Sequence, residues 1–409
     1  MKDEIKKRLA QIRAGKIPEG YKKGKLGIVP NDWEEIIFSE LFTSTSEYTD
    51  DLEKYPLYSL TIEDGITAKT ERYDRSHLVK KENSYKIVRP NDFAYNPMNI
   101  RFGAVARHKG EIPVAVSGYY DIFTTVHDSD LSFMEGFLTS DPMITYYNRV
   151  STGSLVEKQR VHFSDFMSFS IPLPPLEERK KIAEILTMQD KVIELCERKI
   201  EQLKRMKKYY LQNMFPKGGE EYPEIRFKGF TDPWEQCKVS DVANRYDNLR
   251  IPVVANLRVP GSTPYYGANG IQDYVDGFTH EGEFVLVAED GANDLKNYPV
   301  KCVNGRIWVN NHAHVLQSKP EIADNKFLAY SISQSDIESL LVGGGRAKLN
   351  AEVMMGIDLI MPSLPEQVAI GHYLTRLDSL ITLHQRKCEE EKKKKKALQQ
   401  LLLTGLVRV

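Results

Sequence analysis

The stretch IPLPPLEERKKIAEILTMQDKVIELCE, residues 171–197, decides the architecture, because the chain carries its pattern twice. Residues 359–385, LIMPSLPEQVAIGHYLTRLDSLITLHQ, register on it without a gap at a shift of 188 positions (361 − 173). Leu173 falls on Met361, Pro174 on Pro362, Leu176 on Leu364, Glu178 on Glu366, Ile182 on Ile370, Leu186 on Leu374, Asp190 on Asp378 and Ile193 on Ile381. In the first copy Pro172, Pro174 and Pro175 fix an extended entry, and a helix begins where a missing N–H costs little. Glu177 and Glu178 then occupy the first turn, at the positive end of the helix dipole. No Gly or Pro interrupts the chain from there to Phe215, so roughly 40 residues at 1.5 Å each predict a rod of about 60 Å.

Steps of four and three residues from Ile182 reach Leu186, Gln189, Ile193, Cys196, Ile200, Leu203, Lys207, Tyr210 and Met214; eight of these ten positions are apolar. The same walk in the second copy reaches Ile370, Leu374, Leu377, Ile381, His384, Cys388, Glu391, Lys395, Leu398 and Leu402, seven of ten apolar. That alternation is a coiled-coil seam, narrower than the face of a globular helix. A helix with one apolar stripe needs a partner, and the simplest partner is the other copy, paired antiparallel. The run Lys392–Lys396 after Glu389–Glu391 reads as a solvated face with ion pairs along the helix.

The repeat extends beyond the helices. PNDWEEIIFSELF (30–42) matches TDPWEQCKVSDVA (231–243), with Trp33 on Trp234, Glu34 on Glu235 and Ser39 on Ser240. Each half therefore reads as a Trp-led element, a long mixed segment, a proline-bearing exit and a rod. The middles diverge. YPLYSLTI, SYKIV, FGAVAR and IPVAV punctuate the first, EFVLVAEDG and GRIWVNNHAHVLQ the second, and all read as short strands among many turns. Residues 331–342 are predicted as a helix within the second module. The expected divisions are a short N-terminal helical segment (1–25), a first module (26–170), a central spacer helix (171–217), a second module (218–358) and a C-terminal spacer helix (359–409). Like frames with unlike centres describe one scaffold presenting two different surfaces.

The bulk numbers suit a multidomain soluble protein: 409 residues, 41% hydrophobic, 28% charged and a net charge of −1. No apolar run reaches the roughly 18 residues of a membrane span. The N-terminal sequence lacks the apolar core of a secretory signal. The four cysteines form no CxxC pair, and free thiols in a cytoplasmic protein are expected. Residues 1–25 hold nine Lys/Arg against three Asp/Glu, a local basic face on a near-neutral chain. Catalytic grammar is sparse: there is no GxxxxGK[ST], GxSxG or HExxH. Tyr95-Asn96-Pro97-Met98 shares only part of the Asn-Pro-Pro-aromatic loop of amino-methyltransferases. His312 and His314 lack further ligands at metal-site spacing, so neither a metal nor a catalytic residue is expected.

These residues resemble the specificity subunit of type I restriction–modification systems. The likeness rests on the two exits (171–178 and 361–367), the Trp33 and Trp234 openings, Tyr265–Ile271, Gly282–Ala292 and the tract 344–350; Asp92–Asn96 and Gly103–Val105 carry it in the first module. It implies an α+β fold: two tandem mixed α/β target recognition domains separated by two long helices forming an antiparallel coiled coil. It implies a non-catalytic DNA-recognition chain, each domain reading half of an asymmetric bipartite site in double-stranded DNA. The helices would set the spacer and dock two modification (methyltransferase) subunits. S-adenosylmethionine would sit on those subunits, with none in this chain, and restriction (motor-nuclease) subunits would join for cleavage. The alternatives are a self-contained restriction or methylation enzyme and a protein-only scaffold.

Arg forks suit guanine and Asn amides suit adenine in the major groove, while Lys suits phosphate. The candidate DNA contacts are Lys69, Arg72, Arg75, Asn96, Asn99, Arg101, Lys158 and Arg160 in the first module. In the second they are Asn269, Asn293, Lys296, Asn310, Asn311, Arg346 and Lys348. The expected seam is Ile182, Leu186, Ile193, Ile200 and Leu203 with Ile370, Leu374, Leu377, Ile381, Leu398 and Leu402.

Overall fold

The computed structural model describes residues 3–69, 84–155, 159–218, 220–343 and 347–409. Arg72, Arg75, Lys158 and Arg346 lie outside the described residues. The chain forms two compact units, Met1–Leu195 with Cys388–Val409, and Cys196–Lys387. Each unit takes one half of each rod.

The rods are the helices Leu176–Asn213 and Leu364–Leu402. Within the first unit, Ile182, Ala183 and Leu186 of the first rod share a core with Leu402 and Leu403 at the far end of the second. Gln189 Nε2 donates to Glu391 Oε2 at 2.5 Å, and Lys395 pairs with Asp190. Within the second unit, Tyr210 meets Tyr373 edge-on with ring centroids 5.0 Å apart, and Lys207 Nζ lies 2.6 Å from Asp378 Oδ1. The helices therefore pair antiparallel in both units. Of the expected seam, Ile182, Leu186, Leu203, Ile370, Leu374, Leu377, Ile381 and Leu402 are buried, and Ile193, Ile200 and Leu398 half-buried. The lysine run is paired at three-residue spacing, Lys392 with Glu389 and Lys394 with Glu391, and reaches across to Asp190 through Lys395.

The duplicated frame is an antiparallel strand pair in each unit. Glu34–Ile37 pairs with the exit strand Ser170–Leu173, placing Leu173 opposite Glu34. Glu235–Lys238 pairs with Asp358–Met361, placing Met361 opposite Glu235. The two registers are the same under the sequence match. Trp33 and Trp234 are both buried beside these strands. Each frame is closed by the segment that follows a rod. In the second unit, Phe215 leaves the first rod to meet Trp234, with centroids 6.0 Å apart, and to stack on Phe327; Pro216 behind it disfavours a helical Phe215 and agrees with the end of the rod at Asn213. In the first unit, Gly405 turns the chain after the second rod at φ +68°, and a Cβ there would stand 2.5 Å from Pro30 and 2.9 Å from Trp33. Glycine alone accommodates both the left-handed backbone and that close approach.

The module centres share one antiparallel four-strand order, which in the second runs Ala243–Arg245, Ala313–Ser318, His280–Ala288, Val300–Val309, and they differ in what is added around it. The first holds a four-stranded antiparallel sheet in the order Val105–Arg107, Phe93–Tyr95, Asp121–Thr125, Phe42–Ser44. A three-stranded sheet and a hairpin, Tyr58–Thr61 with Gly65–Ala68, lie beside it. Its core is aromatic: Phe93 stacks on Phe123 at 5.2 Å, and Phe38, Phe42 and Phe166 interlock around them. The second module holds one six-stranded sheet, in which Pro260–Gly267 pairs parallel with Val300–Val309 and antiparallel with Gly270–Val275.

The helix expected over 331–342 lies instead at Asn325–Gln334. Asp324 starts it early by accepting from Phe327 N at 2.8 Å, a side-chain cap that satisfies an orphan donor. At the other end Ser335 is extended and Asp336 accepts from Ser339 N, so a separate turn, Glu338–Leu340, replaces the last helical turns.

A candidate nucleic-acid interface on each module

Both modules build a surface from a loop that leaves a central strand and a hairpin that leads to the exit strand. In the first, the strand Phe93–Tyr95 runs into Asn96-Pro97-Met98-Asn99 and the short turn Ile100–Phe102. Asn96 is buried, and its Oδ1 accepts from Met98 N at 3.1 Å and Asn99 N at 3.3 Å. Pro97 O accepts from Val161 N, tying the loop to the hairpin that Thr152 and Arg160 close with two backbone bonds of 2.9 Å. Arg101 reaches the hairpin too, donating from Nη1 to Gln159 Oε1, with its guanidinium over the Phe102 ring. Its Nε is buried without a partner among the described residues. Asn99 and Phe102 are left exposed at the tip, and Lys69 is exposed at the end of the neighbouring hairpin.

In the second module, the strand His280–Ala288 runs into Glu289-Asp290-Gly291, and the hairpin closes at Val342 and Lys348, with Lys348 also bridging Asp290. Asn269, on the turn between the strands Pro260–Gly267 and Gly270–Val275, donates to Gly291 O at 2.9 Å and accepts from Asn293 N at 2.8 Å. Asn310 is buried; its Oδ1 accepts from His312 N at 2.8 Å. Asn293, Lys296, Asn311 and Lys348 are exposed on these loops. The structure thus gathers Asn269, Asn293 and Lys348 around one loop. It commits the amides of Asn96, Asn269 and Asn310 to holding backbone in place.

A charge network that sequence spacing did not reveal lies beneath the second loop. His314 Nδ1 is 2.7 Å from Asp247 Oδ2, and its Nε2 is 2.9 Å from Leu349 O. Arg250 Nη1 donates to Glu289 Oε2 at 2.7 Å, and Lys348 Nζ lies 2.8 Å from Glu289 Oε1. Ligand atoms of Asp247, Glu289 and His314 lie within 4.8 Å of one another. Arg250 and Lys348 already neutralise that cluster, so it reads as a clamp on the loop and not as a metal centre. The second histidine of the pair, His312, turns to a different acid, with Nδ1 2.6 Å from Asp290.

Burial pushes the Asp247 carboxyl up, but the hydrogen bonds from His314 and the Val315 amide outweigh it and hold the group below the usual range. Glu289 behaves likewise, burial being outweighed by Lys348 and Arg250. Depressed carboxylates stabilise the fold fully above their unfolded values near 4 and lose that contribution as pH falls through the lower folded values. The second module's loop is therefore expected to open in the acid range below about pH 4, read as a rise in amide exchange at residues 289–297. Glu289→Gln should open the same loop already at neutral pH, at a cost of about 1–3 kcal/mol, because Lys348 loses its carboxylate and Arg250 keeps only Asp247. Unchanged exchange in that variant would remove the clamp from the account.

Both frames, their exits and most of each rod lie in stretches that match the family of type I restriction modification DNA specificity domains. That family matches twice, over residues 30–205 and 231–392, and the chain belongs to it. A Haemophilus influenzae protein provisionally named as a type I restriction enzyme specificity subunit is 41% identical over 164 residues, 40% of this chain and 42% of that one, so the match spans under half of that relative's length. The type I restriction enzyme MjaVIII specificity subunit of Methanocaldococcus jannaschii is 23% identical over 93% of this chain and 94% of its own. The crystal structure of the S subunit of a type I restriction–modification system from M. genitalium has the same fold, with a TM-score of 0.64 at 13% identity, covering 93% of this chain and 99% of that one. Among the described residues, no helix is long and apolar enough to cross a membrane.

Proposed function

We propose that this chain is the DNA-recognition subunit of a type I restriction–modification complex and performs no chemistry itself. Each module reads one half of an asymmetric bipartite site. The paired rods set the gap between the halves and dock two methyltransferase subunits, which carry S-adenosylmethionine; motor-nuclease subunits join for cleavage. The observation that carries this reading is the frame built twice in one register, Leu173 opposite Glu34 and Met361 opposite Glu235, around a shared four-strand order that carries different additions, a three-stranded sheet and a hairpin in the first module and the strands Pro260–Gly267 and Gly270–Val275 in the second. A duplicated scaffold with divergent inserts is what reading two different sequences requires.

Within each interface the roles divide. The committed amides of Asn96, Asn269 and Asn310 shape the loops. The exposed Asn99, Asn293 and Asn311 are free to meet base edges, and Lys69 and Lys296 to meet phosphates, which fix position without carrying sequence, whereas Lys348 would approach phosphate while holding Glu289. Arg101 and Arg160 stand at the base of the first loop and hairpin. Arg72, Arg75, Lys158 and Arg346 keep their proposed DNA contacts on sequence grounds alone.

The test is to express the chain with its modification subunit and sequence the methylated sites, then repeat with residues 43–170 replaced by the corresponding module of a relative. The expected result is a split site of which one half changes and the other is retained. Methylation by the purified chain alone, or a change in both halves, would overturn the reading.

A further inference from the structure

The second unit contains a groove of about 1040 Å³ between its module and the two rod segments, walled by the strand Val300–Val309, the helix Asn325–Gln334 and both rods. Five cations line it: Lys207, Lys296, Lys301, Lys326 and Arg386. Its two acids are already neutralised. Asp378 accepts from Lys207 at 2.6 Å and from the Tyr330 hydroxyl at 2.6 Å, and Glu283 pairs with Lys326 at 3.5 Å. Lys296, Lys301 and Arg386 form no ion pair among the described residues. Asp294, near Lys296 in sequence, is spent on capping its own turn through the Lys296 and Asn297 amides. Uncharged hydrogen-bonding side chains, Asn304, Gln334 and Thr382 among them, fill the spaces between the cations.

The matching place in the first unit is different. Lys395 with Asp190 stands where Lys207 and Asp378 stand, both members 188 positions apart. The groove there is about 430 Å³, and its cations are Lys392, Lys395 and Lys396. Two of these are paired, Lys392 with Glu389 and Lys395 with Asp190. The excess of positive charge therefore belongs to the second unit.

We infer that the groove of the second unit grips the sugar-phosphate backbone of the bound duplex independently of base sequence. The row of free cations begins at Lys296, on the candidate reading loop, continues to Lys301 on the adjoining strand and ends at Arg386 on the second rod. It thus continues the interface already described, which favours a phosphate strand over a peptide as the occupant. The inference rests on the DNA-recognition reading above and assigns to it a sequence-independent anchor in one unit.

The test uses the full chain assembled with its modification subunit. Binding to a duplex carrying its methylated site and to a scrambled duplex is followed across salt concentrations, for the native chain and for the triple variant Lys296→Gln, Lys301→Gln, Arg386→Gln. Each lost phosphate contact lowers the log–log salt slope by about 0.9, so the triple variant should lose two to three units of slope, roughly, and about 40-fold of its salt sensitivity between 50 and 200 mM. Both duplexes should weaken by the same factor, leaving the preference for the site unchanged. Lys301→Gln alone, at an exposed position, should lose about one unit and covers the case in which the triple variant fails to fold. Unchanged slopes while the native complex still prefers its site would overturn the anchor and leave the recognition reading standing. Failure to assemble with the modification subunit at unchanged salt slope would assign the groove to protein and overturn it as well. No salt-sensitive affinity in the native complex would overturn both.

Discussion

Replacing Arg226 by methionine is expected to lower the melting temperature of the second unit by about 6–20 °C, from a loss of roughly 3–5 kcal/mol at two to four degrees per kcal/mol. Glu366, in the first turn of the second rod, has a fully buried side chain, and Arg226 meets it through two bonds of 2.7 Å, from Nε and Nη2. Hydrogen bonding to Glu366 raises the Arg226 guanidinium above its ordinary value. Truncating the arginine strands a carboxylate in the core with only the helix dipole to offset it, and unpaired buried charge is among the costliest defects a core can carry. The double replacement Arg226→Met with Glu366→Leu should recover most of the loss, because apolar side chains of similar volume need no partner. A single replacement costing under about 1 kcal/mol would mean that water reaches the carboxylate.

The same device closes the first unit, where Arg408 Nε and Nη2 bind Glu178 at 2.6 and 2.8 Å and Nη1 and Nη2 bind Asp32. Glu178 and Glu366 are one position in the repeat. Their partners both come from the segment after a rod, Arg226 thirteen residues past Asn213 (226 − 213) and Arg408 six past Leu402 (408 − 402), so the role repeats while the spacing does not. Arg408 is more exposed than Arg226 and shared between two acids, so the corresponding Arg408 replacement is expected to cost less.

That contrast shows what the sequence could and could not carry. The shift of 188 located Glu178 and Glu366, and the proline-led exits fixed both frames. Nothing in the local pattern named Arg226 or Arg408, because a partner brought in by chain return has no fixed spacing. The seam was legible for the same reason that its register was not. A walk of fours and threes defines a stripe on one helix, and the polar steps Lys207, Glu391 and Lys395 appeared as interruptions. In the structure they are the pairing code: Lys207 with Asp378, Lys395 with Asp190 and Glu391 with Gln189. Leu203 and Leu377, both buried, hold the places equivalent to Glu391 and Gln189, so one unit has a polar layer where the other is apolar. Buried polar layers of this kind fix register and partner choice in coiled coils. The module centres were the least legible part. Short apolar runs give strands but not their order, and the parallel pairing of Tyr265 with Trp308 joins residues 43 apart (308 − 265). Residue type suggested Asn269 as a base reader, whereas its amide spans Gly291 and Asn293; type gives capacity to bond, and only geometry gives the partner.

If the rods are the ruler, lengthening both by whole heptads should change the preferred gap in a way that length alone does not predict. A heptad adds about 10.5 Å, the length of roughly three base pairs at 3.4 Å each. Three base pairs turn a half-site by about +100° at 10–10.5 pairs per turn, whereas one heptad of a left-handed supercoil with a pitch near 150 Å turns a module by about −25°. The mismatch of about 125° exceeds what a short duplex accommodates cheaply, so one added heptad should abolish methylation at the native site without creating a new one. Three heptads add about 31.5 Å, close to nine base pairs, and the rotations then become about −50° for DNA and −75° for the rods. Modification should therefore return at sites whose gap is about nine base pairs longer, with both half-sites unchanged. Sequencing the methylated sites of hosts carrying each insertion reads this directly. Equal activity of all variants at the native gap would show that the rods do not measure it, and the distance between half-sites would have to be set by the docked subunits.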